Sequence, residues 1–153
     1  MSRSFDERLM HEAIAEARSA ADIDEVPVGA VAVVDKNIVG RAYNIREKNH
    51  NPLGHAELLL IEKLSSEKRS WRLEDVTIYV TCEPCLMCAG AMLQARIKRV
   101  VYGCRDPKAG ALGSLYDVSH DPRLNHSIEV VPDILAEECG KLLSDFFGRL
   151  RDE

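Results

Sequence analysis

Apolar residues change their spacing along this chain, and each change marks a new element. Phe5, Leu9, Met10, Ala13, Ile14, Ala17, Ala20 and Ala21 recur every three or four positions, the spacing of a helix with one buried stripe. Ser4-Phe5-Asp6-Glu7 has the form of a capping box, which puts the N-cap at Ser4. The polar stretch Asp22 to Glu25 ends this helix. Val28 to Val34 is almost continuously apolar and of strand length, as expected of a central strand buried on both faces. Asp35-Lys36-Asn37 reads as a turn, with Ile38 to Ile45 as the hairpin partner.

The polar loop Arg46 to Leu53 leads into a second helix, which starts near Pro52 to His55 and carries Leu58, Leu59, Leu60, Ile61 and Leu64. Ser65 to Arg72 is polar and mixed in charge, which suits a solvated helix end and loop. Val76 to Thr81 is a third strand. Pro84 suits the first position of the next helix, because its missing N–H costs nothing there; that helix runs to about Arg96. Arg99 to Cys104 is a fourth strand, and a strand–helix–strand crossover makes it parallel to the third. Asp106 to Ser114, rich in Gly, Ala and Pro, is a loop; a short helical turn is expected from Ser114 to His120. Ile128 to Val131 is a fifth strand. Pro132 opens a last helix with Ile134, Leu135, Cys139, Leu142, Leu143, Phe146, Phe147 and Leu150 on its apolar side. The sum is an α/β fold, a three-layer α/β/α sandwich whose mixed five-stranded sheet has helices on both faces, in a single domain over 1–153.

The totals fit that fold. With 153 residues the chain suits one domain with a real core. At 46% hydrophobic and 29% charged it has an ordinary soluble composition. No apolar run approaches the ~20 residues that span a bilayer, and no apolar run follows the first charges, so neither a membrane span nor a signal peptide is expected. Three of the five cysteines fall within seven residues. Such crowding argues against a secreted disulfide framework and for metal-binding thiolates in a reducing compartment, the cytoplasm. The net charge of −5 argues against a general nucleic-acid binder. Arg96, Lys98, Arg99, Arg105 and Lys108 nevertheless fall within thirteen positions and could form a local phosphate-binding patch.

Cys82, Cys85 and Cys88 are spaced by two residues each. Cys85 and Cys88 share a face of the helix expected after Pro84, in its first turn, where the dipole favours thiolate. A catalytic zinc takes three protein ligands and keeps the fourth position for water; the third here is either Cys82 or His55. Glu57, two residues after His55, would stand beside the metal without binding it. It then suits a general base for the water that zinc activates, whose pKa falls to roughly 7. An iron–sulfur run would need Cys followed by Pro at positions 92 and 93, where Met and Leu stand. A closed structural zinc would need four protein ligands and leave Glu57 without a role.

His55-Ala56-Glu57, then 26 residues, then Pro84-Cys85-Leu86-Met87-Cys88 resembles the His-x-Glu and Pro-Cys-x-x-Cys signature of the zinc-dependent cytidine and nucleotide deaminase superfamily. The resemblance implies a cytidine deaminase-like fold, Zn2+ held by His55, Cys85 and Cys88, and Glu57 as proton shuttle. Glu25 to Val31, Cys82 to Met92, Gly103 to Ser114, and Leu135 to Phe147 are similar to the bacterial tRNA-specific adenosine deaminases. That closer likeness implies a homodimer acting on a tRNA anticodon stem-loop and converting wobble adenosine to inosine. Glu57 would protonate N1 of the flipped-out adenine, water would add at C6, and Glu57 would carry a proton to the departing ammonia. It further implies substrate or RNA contacts at Asn44, Arg105, Asp106, Lys108 and Asn125, with His120 and His126 beside them. Cys82, Gly54 and Leu53 depart from the family pattern. Two other functions compete: deamination of a free base such as guanine, and a non-catalytic zinc-stabilised interaction module.

Overall fold

The computed structural model describes residues 2–152, with four helices and five strands among them. Helix α1 (Arg3–Asp22) starts two residues earlier than its capping box suggested. Its N-cap is Ser2, whose hydroxyl accepts the Phe5 N–H at 3.2 Å. Ser2 caps as well as Ser4 would, and starting there lets Arg3 and Glu7 pair at i,i+4.

Strands β1 (Gly29–Val34) and β2 (Asn37–Tyr43) form the expected antiparallel hairpin. Its two connecting residues, Asp35 and Lys36, have φ of 50° and 68°, the left-handed pair that a tight hairpin turn needs. Helix α2 (Ala56–Lys68) runs past Leu64 through the polar segment, and left-handed Arg69 closes it. Strand β3 (Thr77–Cys82), helix α3 (Leu86–Gln94) and strand β4 (Arg99–Cys104) follow, with β3 and β4 parallel as expected. Pro84 is not in α3. Cys85 is the N-cap with an extended backbone, and the Pro84 carbonyl instead accepts the Ala111 N–H.

The helical turn expected from Ser114 to His120 is absent. That segment folds back on itself: Leu112 bridges to Asp117, and the Val118 N–H donates to the Ala111 carbonyl. Strand β5 (Glu129–Val131) pairs parallel to β4. Helix α4 (Ala136–Arg151) begins four residues after Pro132, because Asp133 and Leu135 both have left-handed φ and break the helix there.

The sheet order is β2-β1-β3-β4-β5, with β1 antiparallel to both neighbours and the other pairs parallel. Alternate residues of each strand face opposite layers. Ala32, Ile78, Val80 and Val100 pack with Leu60, Leu64 and Met92 of α2 and α3. Val31, Tyr79 and Val101 pack with Met10 and Ile14 of α1 and with Cys139 of α4. Gly29 lets α1 lie close on the strand; a Cβ there would stand 2.2 Å from the Ala13 carbonyl oxygen. Among the described residues no helix is long and apolar enough to cross a membrane.

One buried ionic group ties α1 to the sheet. The Arg99 guanidinium donates twice to Asp6, at 3.0 and 2.7 Å, and the Tyr79 hydroxyl donates to the same carboxylate at 2.7 Å. Glu129 pairs with Arg99 from the solvent side. Burial pushes the Asp6 carboxyl up, but the bonds from Arg99 and Tyr79 outweigh it and hold the pKa below its ordinary value. The depressed pKa means that the contribution is complete at neutral pH and lost as pH falls through the carboxylate range. Asp6→Ala strands a buried guanidinium, which costs about 3 kcal/mol in chemical denaturation at neutral pH. The gap between variant and parent should close on acidification, where the parent's Asp6 is protonated too.

Candidate active site

Helices α2 and α3 begin side by side. His55 is the N-cap of α2 and Cys85 the N-cap of α3, and neither side chain makes a capping bond to its own helix. They approach each other instead. His55 Nδ1 lies 3.6 Å from Cys85 Sγ and 3.5 Å from Cys88 Sγ, which comes from the first turn of α3. Donor atoms of these three residues all fall within 4.8 Å of one another. Cys82 is not in the cluster; it stands in register with Cys104 of β4. Of the two candidates for third donor, the fold brings His55 to the pair.

Two sulfurs and one imidazole are a donor set that suits a catalytic zinc with one position open. The electrostatics suit a cation. The Cys88 bond, with help from His55, holds the Cys85 thiol down to about 4. The Cys88 thiol, which donates that bond, is pushed up. The Cys85 bond raises His55. One negative charge is thus already shared by the sulfurs, and protons occupy the remaining sites that a metal would claim. Glu57, in the first turn of α2, is 4% exposed. Burial pushes its carboxyl up to about 7, and a cation at the three donors would favour its ionised form.

These groups line a cavity of about 400 Å³, within the usual size of small-molecule sites. Asn44, His55, Glu57 and Cys85 share it with Arg105, Asp106 and, from α4, Leu143 and Phe147. Asn44 Oδ1 accepts the Ala56 N–H at 2.8 Å, capping α2 in place of His55 and leaving its amide nitrogen as a donor. Arg105 makes a two-bond pair with Asp133 at 3.1 and 3.0 Å. Asp106 accepts the N–H groups of Lys108 and Ala109, closing a turn. Lys108 is exposed and not part of the cavity wall. Asn125 lies in a separate recess with Gly90, Leu93, Gln94 and Arg96.

Two carboxylates escaped the sequence reasoning. Glu25 accepts the N–H groups of Glu47 and Lys48 at 3.0 and 2.6 Å, fixing the loop that enters His55. Glu83, 3% exposed, accepts the N–H groups of Asp106, Leu112 and Ser114 and the Ser114 hydroxyl. Gly110 presses on it, and a Cβ there would stand 2.3 Å from the Glu83 carboxyl carbon. The sequence did carry a signal: each is an acidic residue at the end of an apolar strand run, facing a loop whose amides need partners.

Residues 3–104 match the family model of the cytidine and deoxycytidylate deaminase zinc-binding region. The chain belongs to this deaminase family. The deaminase is 48% identical over 146 residues to the tRNA-specific adenosine deaminase of Bacillus subtilis (strain 168), covering 95% of this chain and 91% of that one. A solved structure from work on A-to-I editing by tRNA:A34 deaminases at the wobble position of transfer RNA superposes with a TM-score of 0.85. It is 38% identical and covers 89% of this chain and 99% of its own. The guanine deaminase of Nitrosomonas europaea superposes with a TM-score of 0.77 at 18% identity, over 93% of this chain and 84% of its own, and shares the fold. Zinc is the deaminase's cofactor, and the His55, Cys85 and Cys88 donors fit it.

Glu83→Gln places an amide N–H₂ against backbone N–H donors and should cost about 1–3 kcal/mol at the loop. In hydrogen exchange, the amides of Asp106, Leu112 and Ser114 should exchange faster, while zinc content stays unchanged.

Proposed function

We propose that this deaminase converts adenosine to inosine at the wobble position of a tRNA anticodon. The observation that carries the reading is a buried Glu57 beside three converging metal donors, in a chain alike over nearly its whole length to tRNA-specific adenosine deaminases. Bound zinc supplies the Lewis acidity that makes water nucleophilic near neutral pH. His55, Cys85 and Cys88 hold the metal. Glu57 takes one proton from the attacking water and gives it to N1 of the flipped-out adenine, then takes the remaining hydroxyl proton of the C6 adduct and gives it to the amine that departs as ammonia. The Asn44 amide orients the base. Arg105 and Lys108 offer positive charge to the anticodon phosphates, and Asp106 holds the turn that presents them.

A homodimer is part of the proposal. Leu86, Leu115, Tyr116 and Leu124 are exposed, and Leu124 shares the recess on α3 with Gly90 and Asn125. Such an apolar surface suits a second copy. Asn125, kept as an RNA contact, acts from there and not from the cavity. A tRNA substrate and five free cysteines fit the cytoplasm.

The zinc-loaded protein should form inosine in an anticodon stem-loop bearing wobble adenosine. Guanine, cytidine and free adenosine run in parallel, and turnover of a free base alone would overturn the proposal. Glu57→Ala should retain zinc by metal analysis while turnover falls ~10²–10⁴-fold.

A further inference from the structure

Cys82 and Cys104 are register partners at the C-terminal ends of the parallel strands β3 and β4. Adjacent strands lie ~4.7–4.9 Å apart, and disulfides need Cα atoms ~4.4–6.8 Å apart. The two side chains emerge on the same face, packed in the cluster under α1 and α4. Cys82 also lines the active-site cavity and is partly exposed there, while Cys104 is buried behind it. An attacking reagent thus has access to one sulfur and finds the second on the neighbouring strand behind it. Neither belongs to the metal donor set.

We propose that Cys82 and Cys104 are an oxidative modification site, a dithiol that hydroperoxides close to a disulfide in the wall of the active-site cavity. The Cys82 sulfur attacks one oxygen of hydrogen peroxide; the O–O bond breaks, and the other oxygen leaves as water with the thiol proton. The product is a Cys82 sulfenic acid. Cys104 then attacks that sulfur, the S–O bond breaks, and a second water leaves with the Cys104 proton. Two thiols and one peroxide give one disulfide and two waters, the sulfurs losing the two electrons that the peroxide gains.

The new bond draws the Cys82 sulfur toward β4 and reshapes the cavity wall. Cys139 sits behind Cys104 in the same cluster and is the competing partner. It is less accessible than Cys82, because it is buried.

The test treats the zinc-loaded protein with hydrogen peroxide, then blocks free thiols and maps the cysteines by mass spectrometry. The expected result is an intact mass lower by two hydrogens, a linked pair of peptides carrying Cys82 and Cys104, full zinc content, and reversal by a thiol reductant. Cys104→Ala and Cys104→Ser should each abolish the link and leave Cys82 as a trappable sulfenic acid. A Cys85–Cys88 disulfide with zinc release, a Cys104–Cys139 link, or unlinked thiols at peroxide levels that already oxidise the methionines would each overturn the proposal.

Discussion

The site depends on two helices that begin at one place. A helix N-terminus carries unpaired N–H groups and a partial positive charge, which the N-cap side chain ordinarily answers. At α2 and α3 that side chain is His55 or Cys85, and each is turned to the other across 3.6 Å. Asn44, at the end of β2, takes over the cap of α2. Cys88 and Glu57 follow from the first turns of the same two helices, so their positions are set once the N-caps meet. The α3 dipole favours negative charge at Cys85, whose thiol is held down before any ion arrives.

The cavity is held from both sides by carboxylates that tie down loops. Glu25 grips the loop before α2, and Glu83 grips the loop after β4. Backbone amides, not cations, answer both. A carboxylate with several N–H partners acts as a fixed hub for a loop that has no secondary structure of its own. The cavity-lining residues Arg105 and Asp106 therefore sit on a restrained segment, which lowers the cost of ordering such a wall on binding.

How much of this could be read from the chain alone depended on whether the information was local. The apolar run at β1, the hairpin turn and the i,i+3 cysteines of α3 are local, and the structure has them in place. The third metal donor was not local. His55 and Cys82 were equivalent candidates by spacing, and the choice depends on α2 starting against α3 across the sheet. The helix at Ser114 to His120 failed because its amides are claimed from outside it: Leu115 and Tyr116 donate to the Gly110 carbonyl and Val118 to that of Ala111. The early start of α4 failed on two left-handed residues, Asp133 and Leu135, that carry no glycine to mark them. Asp6 stood only as a member of the capping-box string, because its partners Tyr79 and Arg99 lie 73 and 93 positions away.

That separation has a consequence for how the chain is made. During synthesis α1 emerges before β3 and β4, with Asp6 beside an apolar stripe that holds Leu9, Met10, Ala13 and Ile14. Docking it early would bury a carboxylate with no guanidinium to meet it. Helix α1 is thus fixed only after β3 and then Arg99 at the start of β4 have been made. Until then its stripe is uncovered, so a nascent or truncated chain ending before Arg99 has sticky apolar surface for chaperones or neighbouring chains.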